Sequence, residues 1–226
     1  LHIVFDYDAS TGDTNLYVNN ELAVSNTLAT GSIDTNTNSI YLGGLNDILD
    51  GIINEFRIWN KINTLETIQN NSTEYLTGEE ANLVAYYEFD NYTESSIPDE
   101  TGNCNDAVIN GPMWVGIEAS NSRIEMESDR ITQAVKHITL NDGSALDLNG
   151  TDSYIQIPAS SDFSGVTEFT VEATVNPDNV DNTQTIAGFS GVDTDKNWEL
   201  KINSNGYLEF VITDGNSKEV IKSDSK

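Results

Sequence analysis

The 226-residue chain carries 37 Asp and Glu against 10 Lys and Arg, a formal net charge of −27. Such a surface repels nucleic acid and anionic lipid and excludes both as partners. No like-charge run marks an acidic tail, so the charge reads as a solvated surface. The one cysteine, Cys104, excludes an internal disulfide, and no run of about 18 apolar residues is present to cross a membrane as a helix.

In chain order, short alternating runs rich in Val, Ile, Tyr, Phe and Thr predict strands at Ile3–Tyr7, Asn15–Val18, Glu21–Val24 and Ser39–Gly43. Longer ones follow at Ile52–Trp59 and Leu83–Phe89. Between these two, Asn63 with Glu66 three residues later is a capping-box pattern that predicts one short helix over 64–71, with Leu65 and Ile68 on one face, lying as a lid on a sheet edge. Residues 116–145 mix charges with sparse apolar positions and read as a linker with two strands of its own.

Strands resume at Tyr154–Ile157 and at Phe169–Pro177, where odd positions are apolar and even ones polar, the mark of a half-buried strand. Trp198–Ile202 and Tyr207–Ile212 flank Asn203-Ser204-Asn205-Gly206, whose Asn-Gly supplies the positive φ of a tight hairpin. Many strands and one helix predict an all-β sandwich. Leu1 opens inside a strand and Glu219–Lys226 closes on another, so the chain is expected to be cut out of domain register.

Gly51–Asn60, the short Glu-containing helix, Leu76-Thr77-Gly78-Glu79 and Leu83–Asp90 together resemble the closing part of laminin-G-like, concanavalin A-like jelly-roll domains. Asp99–Asp106 and Trp114-Val115 are similar to that family's terminal turn and strand. Ala145–Ile155 resembles its opening, and 169–177 the strand after it. The resemblance covers most of the chain outside 116–145. It implies a jelly-roll sandwich of antiparallel sheets, with 1–115 the C-terminal portion of one domain, 116–145 a linker and 146–226 the N-terminal portion of the next. Completion of each portion within the chain, or by a neighbour joined head to tail, stays open at this level.

Catalysis finds little support in the residues. The glucanases of this class carry carboxylates at alternate positions of one strand face, because only that spacing brings acid and nucleophile to one side of a sugar. No Glu-x-Asp-x-x-Glu is present, and the nearest run, Glu125–Asp129, lies in the linker without the final Glu. His2 and His137 have no Cys or carboxylate at ligand spacing and read as surface positions, and Cys104 reads as an incidental thiol. The chain is therefore not expected to be an enzyme.

Calcium is the sharper expectation. Oxygen donors run through a Gly-containing turn at Asp99, Thr101, Asn103, Asn105 and Asp106. The resemblance implies a second site where Asn149 and Asp152 meet Asn54, a position at which the family commonly has Asp. The competing reading of both is Asx-turns that cap their own backbone. Trp59, Trp114 and Trp198 sit in apolar alternation and are expected in the core, which leaves Tyr86 and Tyr92 as the candidate exposed aromatics for a glycan.

These readings combine as a non-catalytic, secreted or cell-surface tandem-repeat protein. Its expected work is adhesion or an extracellular filament, with neighbouring repeats or subunits as head-to-tail partners and glycans or proteins bound through loops at one sheet edge. The alternatives are a carbohydrate-binding module beside a polysaccharide-degrading enzyme and a soluble monomeric lectin.

Overall fold

A computed structural model describes residues 1–28, 30–33, 38–89, 95–111, 113–117, 143–189, 196–214 and 218–224. The strands are β1 (His2–Asp8), β2 (Asp13–Val18), β3 (Glu21–Thr27), β4 (Ile40–Leu42), β5 (Asp50–Trp59), β6 (Leu83–Tyr87), β7 (Ser96–Ile97), β8 (Ala107–Asn110) and β9 (Met113–Ile117). They continue as β10 (Gly143–Asn149), β11 (Tyr154–Ile157), β12 (Glu168–Pro177), β13 (Gln184–Phe189), β14 (Lys196–Ile202), β15 (Leu208–Asp214) and β16 (Lys218–Lys222). One α-helix, α1 (Leu65–Asn71), and a 3₁₀ turn at Ser161–Phe163 complete the described elements.

The strands form two antiparallel sheets. Sheet A runs β3-β2-β1-β12-β5-β10-β9, with β6 also on β5, and sheet B runs β16-β15-β14-β13-β4-β11-β8-β7. This is the jelly-roll sandwich expected from the sequence. Strands from 1–117 and from 143–224 interleave in both sheets. In sheet A, β12 lies between β1 and β5, and in sheet B, β4 lies between β11 and β13. Each portion is thus completed by the other within one chain, which answers the question that the sequence left open. Strands β9 and β10 pair with each other and take up both ends of the expected linker; 118–142 lie outside the described residues.

Alternation decides what the sandwich buries. Phe169, Val171, Ala173 and Val175 of β12 point inward beside Ile3, Phe5 and Tyr7 of β1, all at 5% exposure or less. From sheet B, Trp198, Leu200, Phe210 and Ile212 meet them. Phe5 stacks on Phe210 at 4.0 Å between ring centroids and lies 5.2 Å from Trp198, so it locks the sheets together. Each such side chain contributes about 1.5–3 kcal/mol by leaving water.

Strand β5 breaks its own alternation. Asn54 faces Thr174 and Phe56 faces Ala173, so Glu55 is an extra residue, held at φ 54°. This β-bulge lets both Ile53 and Phe56 enter the core although they are three residues apart. It also turns Arg57 to the outer face, where helix α1 lies. The helix is one residue out of the expected register: Thr64, not Asn63, is the N-cap and accepts from the Thr67 N–H at 3.2 Å. Ile68 is buried while Leu65 stays 44% exposed, so only one of the pair faces the protein. The helix covers the outer face of sheet A rather than a sheet edge, because Asn63 and Asn71 both donate to Glu172 in the middle of that sheet.

Candidate functional site

The outer face of sheet B carries a cleft of about 320 Å³, near the lower end of the roughly 300–1,000 Å³ common for small-molecule sites. A single row of paired residues builds its middle. Tyr41 of β4 faces Gly188 of β13, and Gly188 faces Glu199 of β14. Residues opposite each other in antiparallel strands share a face, so the absent side chain of Gly188 leaves a notch between a tyrosine and a carboxylate. A Cβ at Gly188 would lie 3.0 Å from the Trp198 carbonyl oxygen and 3.1 Å from the Glu199 Cα. The walls are completed by Asp47, Thr185, Asn197 and Thr213, with Lys218 at the rim.

Glu199 is fixed in this cleft. Its Oε1 accepts from the Thr185 hydroxyl at 2.9 Å and its Oε2 pairs with Lys201 Nζ at 3.2 Å. The hydroxyl and the ammonium group hold the carboxylate oxygens in one orientation beside the notch, where they can accept from ligand hydroxyls. The 44–47 turn is tied to β13, since the Thr185 N–H donates to the Asp47 carbonyl at 2.6 Å. The cleft therefore offers an aromatic wall, a backbone floor and oriented acceptors.

The outer face of sheet A holds a second set of polar groups, here sealed under α1. Glu172 Oε1 accepts from Asn63 Nδ2 at 3.0 Å and Asn71 Nδ2 at 2.8 Å, and its Oε2 lies 3.4 Å from Arg57 Nη1. Arg57 also donates to the carbonyls of Asn71 and Glu74 and to Glu55 at 2.6 Å. Burial alone would raise the Glu172 carboxyl, but His2, the Arg57 guanidinium and Asn71 outweigh it and hold it below the usual carboxylate range. For Glu55, burial wins over the same guanidinium and pushes the carboxyl up to about 7. Asp6, buried nearby with Oδ1 on Asn15, rises to about 6 through burial. With both Glu172 and Arg57 almost wholly buried, this cluster fastens helix to sheet and presents nothing to a ligand.

The residues expected to bind calcium are placed as follows. Asp99 is buried, and its Oδ1 accepts from the Tyr86 and Thr101 N–H groups and from the Thr101 hydroxyl. Its Oδ2 accepts from the Asn105 N–H, and Asp106 Oδ1 accepts from the Asp99 N–H. Asn103 is exposed and donates to the Val84 carbonyl. At the opening turn, Asn149 Oδ1 accepts from the N–H groups of Thr151, Asp152 and Ser153, while its Nδ2 donates to Asp152 at 2.8 Å. Both turns thus direct the Asp99 and Asn149 oxygens largely at their own backbone N–H groups, as Asx-turns do. Asn54 is not brought to Asn149 and Asp152: the register sets Asn149 opposite Asp50, and Asn54 lies four residues further along β5. Among the described residues, no group of three or more His, Cys, Asp or Glu side chains is placed to hold a metal.

Of the aromatics, Trp198 is in the core as expected, and Trp59 is buried on the outer face of sheet A with Leu83 and Tyr86. Tyr86 is fully buried under Arg57, which corrects the expectation that it is exposed. The Tyr92 position and the Trp114 side chain lie outside the described residues, as does His137. His2 is not at the surface: its Nε2 lies 3.8 Å from Glu172 Oε2. Tyr41, Gly188 and Glu199, which make the cleft, escaped the sequence reading because β4 becomes a neighbour of β13 and β14 only in the sheet.

Comparison with known proteins agrees with the architecture. No curated protein and no solved structure matches the chain. A laminin-G family model, described as Concanavalin A-like lectin/glucanases superfamily, matches residues 1–69 and 149–226, well over half of the sequence and strands of both sheets. Laminin-G-like domains are in general non-catalytic binding domains, although the superfamily also takes in glucanases. With two antiparallel sheets, an interleaved order of strands and a matching family model over both portions, the chain belongs to the concanavalin A-like lectin/glucanases superfamily.

Proposed function

We propose that this chain is a non-catalytic binding module acting outside the cell, and that it takes a glycan in the cleft on sheet B. The observation that carries the reading is the Tyr41–Gly188–Glu199 row: a ring wall, a floor without a side chain and a fixed acceptor side by side on an open sheet face. A sugar needs an apolar surface for its C–H face and fixed partners for its hydroxyls, and this row supplies both. The location differs from the sequence expectation of loops at a sheet edge.

In the wider protein this module serves adhesion as one repeat of a surface or filament protein, with neighbouring repeats as its head-to-tail partners. The same cleft would serve equally beside a polysaccharide-degrading catalytic domain, and the complete sequence of the protein separates the two settings. Fold alone is a weak guide to ligand, so the test is direct. Glycan-array screening followed by calorimetry should give binding that Tyr41→Ala and Gly188→Val abolish while the melting transition stays cooperative. Binding unaffected by both substitutions would remove the cleft from the function.

A further inference from the structure

The cleft does not end at Tyr41. Its ring centroid lies 5.5 Å from that of Tyr154 on β11, with 56° between the ring planes, and both tyrosines are half-buried on the outer face of sheet B. Gln156, opposite Tyr41 and two residues along β11 from Tyr154, donates its amide to Ser39 Oγ at 3.0 Å, which fixes its orientation. The outward-facing row therefore continues from Glu199 on β14 through Gly188 and Tyr41 to Gln156 and Tyr154 on β11. It spans three strand spacings, roughly 14 Å at about 4.8 Å each. One sugar ring cannot cover that length.

We infer that this face binds an extended, uncharged oligosaccharide laid across the strands, with the cleft as one subsite and the Tyr41–Tyr154 platform as a second. This deepens the proposed function and rests on it. Three observations carry the inference. The two rings lie side by side at 5.5 Å between centroids, so a chain that leaves the cleft over Tyr41 meets a second aromatic surface. The polar groups to either side of Tyr41 in this row, Gln156 and the fixed Glu199, can accept from or donate to hydroxyls. The charge also disfavours an acidic polymer: among the described residues Asp47 and Glu199 line the cleft, with Lys201 paired to Glu199 and Lys218 at the rim, in a chain of net charge −27. Sulfated or uronic acid glycans would meet repulsion over the whole surface.

The probes are gluco-, manno- and chito-oligosaccharides from one unit to six, with polygalacturonate and heparin as anionic counterparts, measured by calorimetry on the full chain. Affinity for the preferred neutral series should rise by at least about tenfold from the monosaccharide to the trisaccharide. Tyr154→Ala should remove that gain from one unit to three, and Tyr41→Ala should abolish binding at every length. Tyr154→Phe, which keeps the ring, should retain the gain and so separates a stacking platform from mere packing. Equal affinity for one unit and three, both abolished by Gly188→Val, would overturn the second subsite and leave the cleft reading intact. Tighter binding of heparin or polygalacturonate than of every neutral series would overturn the neutral-ligand assignment. Absence of binding to every probe would sink the proposed function itself, and the subsite with it.

Discussion

Replacing Glu172 by alanine removes the acceptor on which the cover of sheet A depends. The carboxylate is 1% exposed, takes the side-chain amides of Asn63 and Asn71, and faces Arg57. Its loss strands two buried amide donors and leaves Arg57 with Glu55 as its one carboxylate partner among the described residues, beside the Asn71 and Glu74 carbonyls. Breaking a buried ion pair by removing one partner costs about 3–5 kcal/mol, and orphaned amides cost about 1–3 kcal/mol each. These terms overlap in one network and do not add. We therefore expect a loss of about 3–5 kcal/mol, or about 6–20 °C in Tm at the roughly 2–4 °C per kcal/mol of a chain this size. Urea denaturation with a cooperative transition gives the free energy, and calorimetry gives Tm. Glycan affinity should not change, because the cleft lies on the opposite sheet. The double replacement Glu172→Leu with Arg57→Met should be less damaging than the sum of the two single ones, since removing both charges leaves neither stranded. A loss below about 1 kcal/mol for Glu172→Ala, or strict additivity in the double variant, would refute the claim that this buried pair fastens α1 to the sheet.

Stability should depend on pH through the raised carboxyls. Glu55 titrates near 7 in the fold against 4.5 unperturbed, and Asp6 and Asp147 near 6 against 3.8. Such acids take up protons on folding, so stability falls as pH rises from about 4.5 to about 7; Glu55→Gln should flatten the upper part of that fall, and an unchanged slope would contradict it. Glu172 works the other way, its contribution fading only as pH drops below the usual carboxylate range. Calcium and sodium at equal ionic strength should raise Tm alike, because screening of the net charge acts in both while the Asp99 and Asn149 oxygens are engaged in their own turns. A further shift specific to calcium and reversed by chelation would show that one of these turns opens to the ion.

The sequence by itself determined most of the secondary structure and the class of fold. Alternation along Phe169–Val175 and the Asn-Gly turn before Tyr207 are local signals, and the structure keeps both in β12 and in the β14–β15 hairpin. Period-two burial and turn chemistry depend on neighbours in the chain, so they can be read from it. Tertiary structure decided the rest. No local rule shows that Glu55 is the bulge residue that sends both Ile53 and Phe56 inward, because the extra residue exists only relative to β12. The helix cap moved from Asn63 to Thr64 because the Asn63 amide is drawn to Glu172, 109 positions away. Tyr86 read as an exposed ring until Arg57 and its helix covered it. The cleft is the clearest case: Tyr41, Gly188 and Glu199 carry no motif, and they become a site only because antiparallel pairing sets β4 in register with the distant β13–β14 pair on one face.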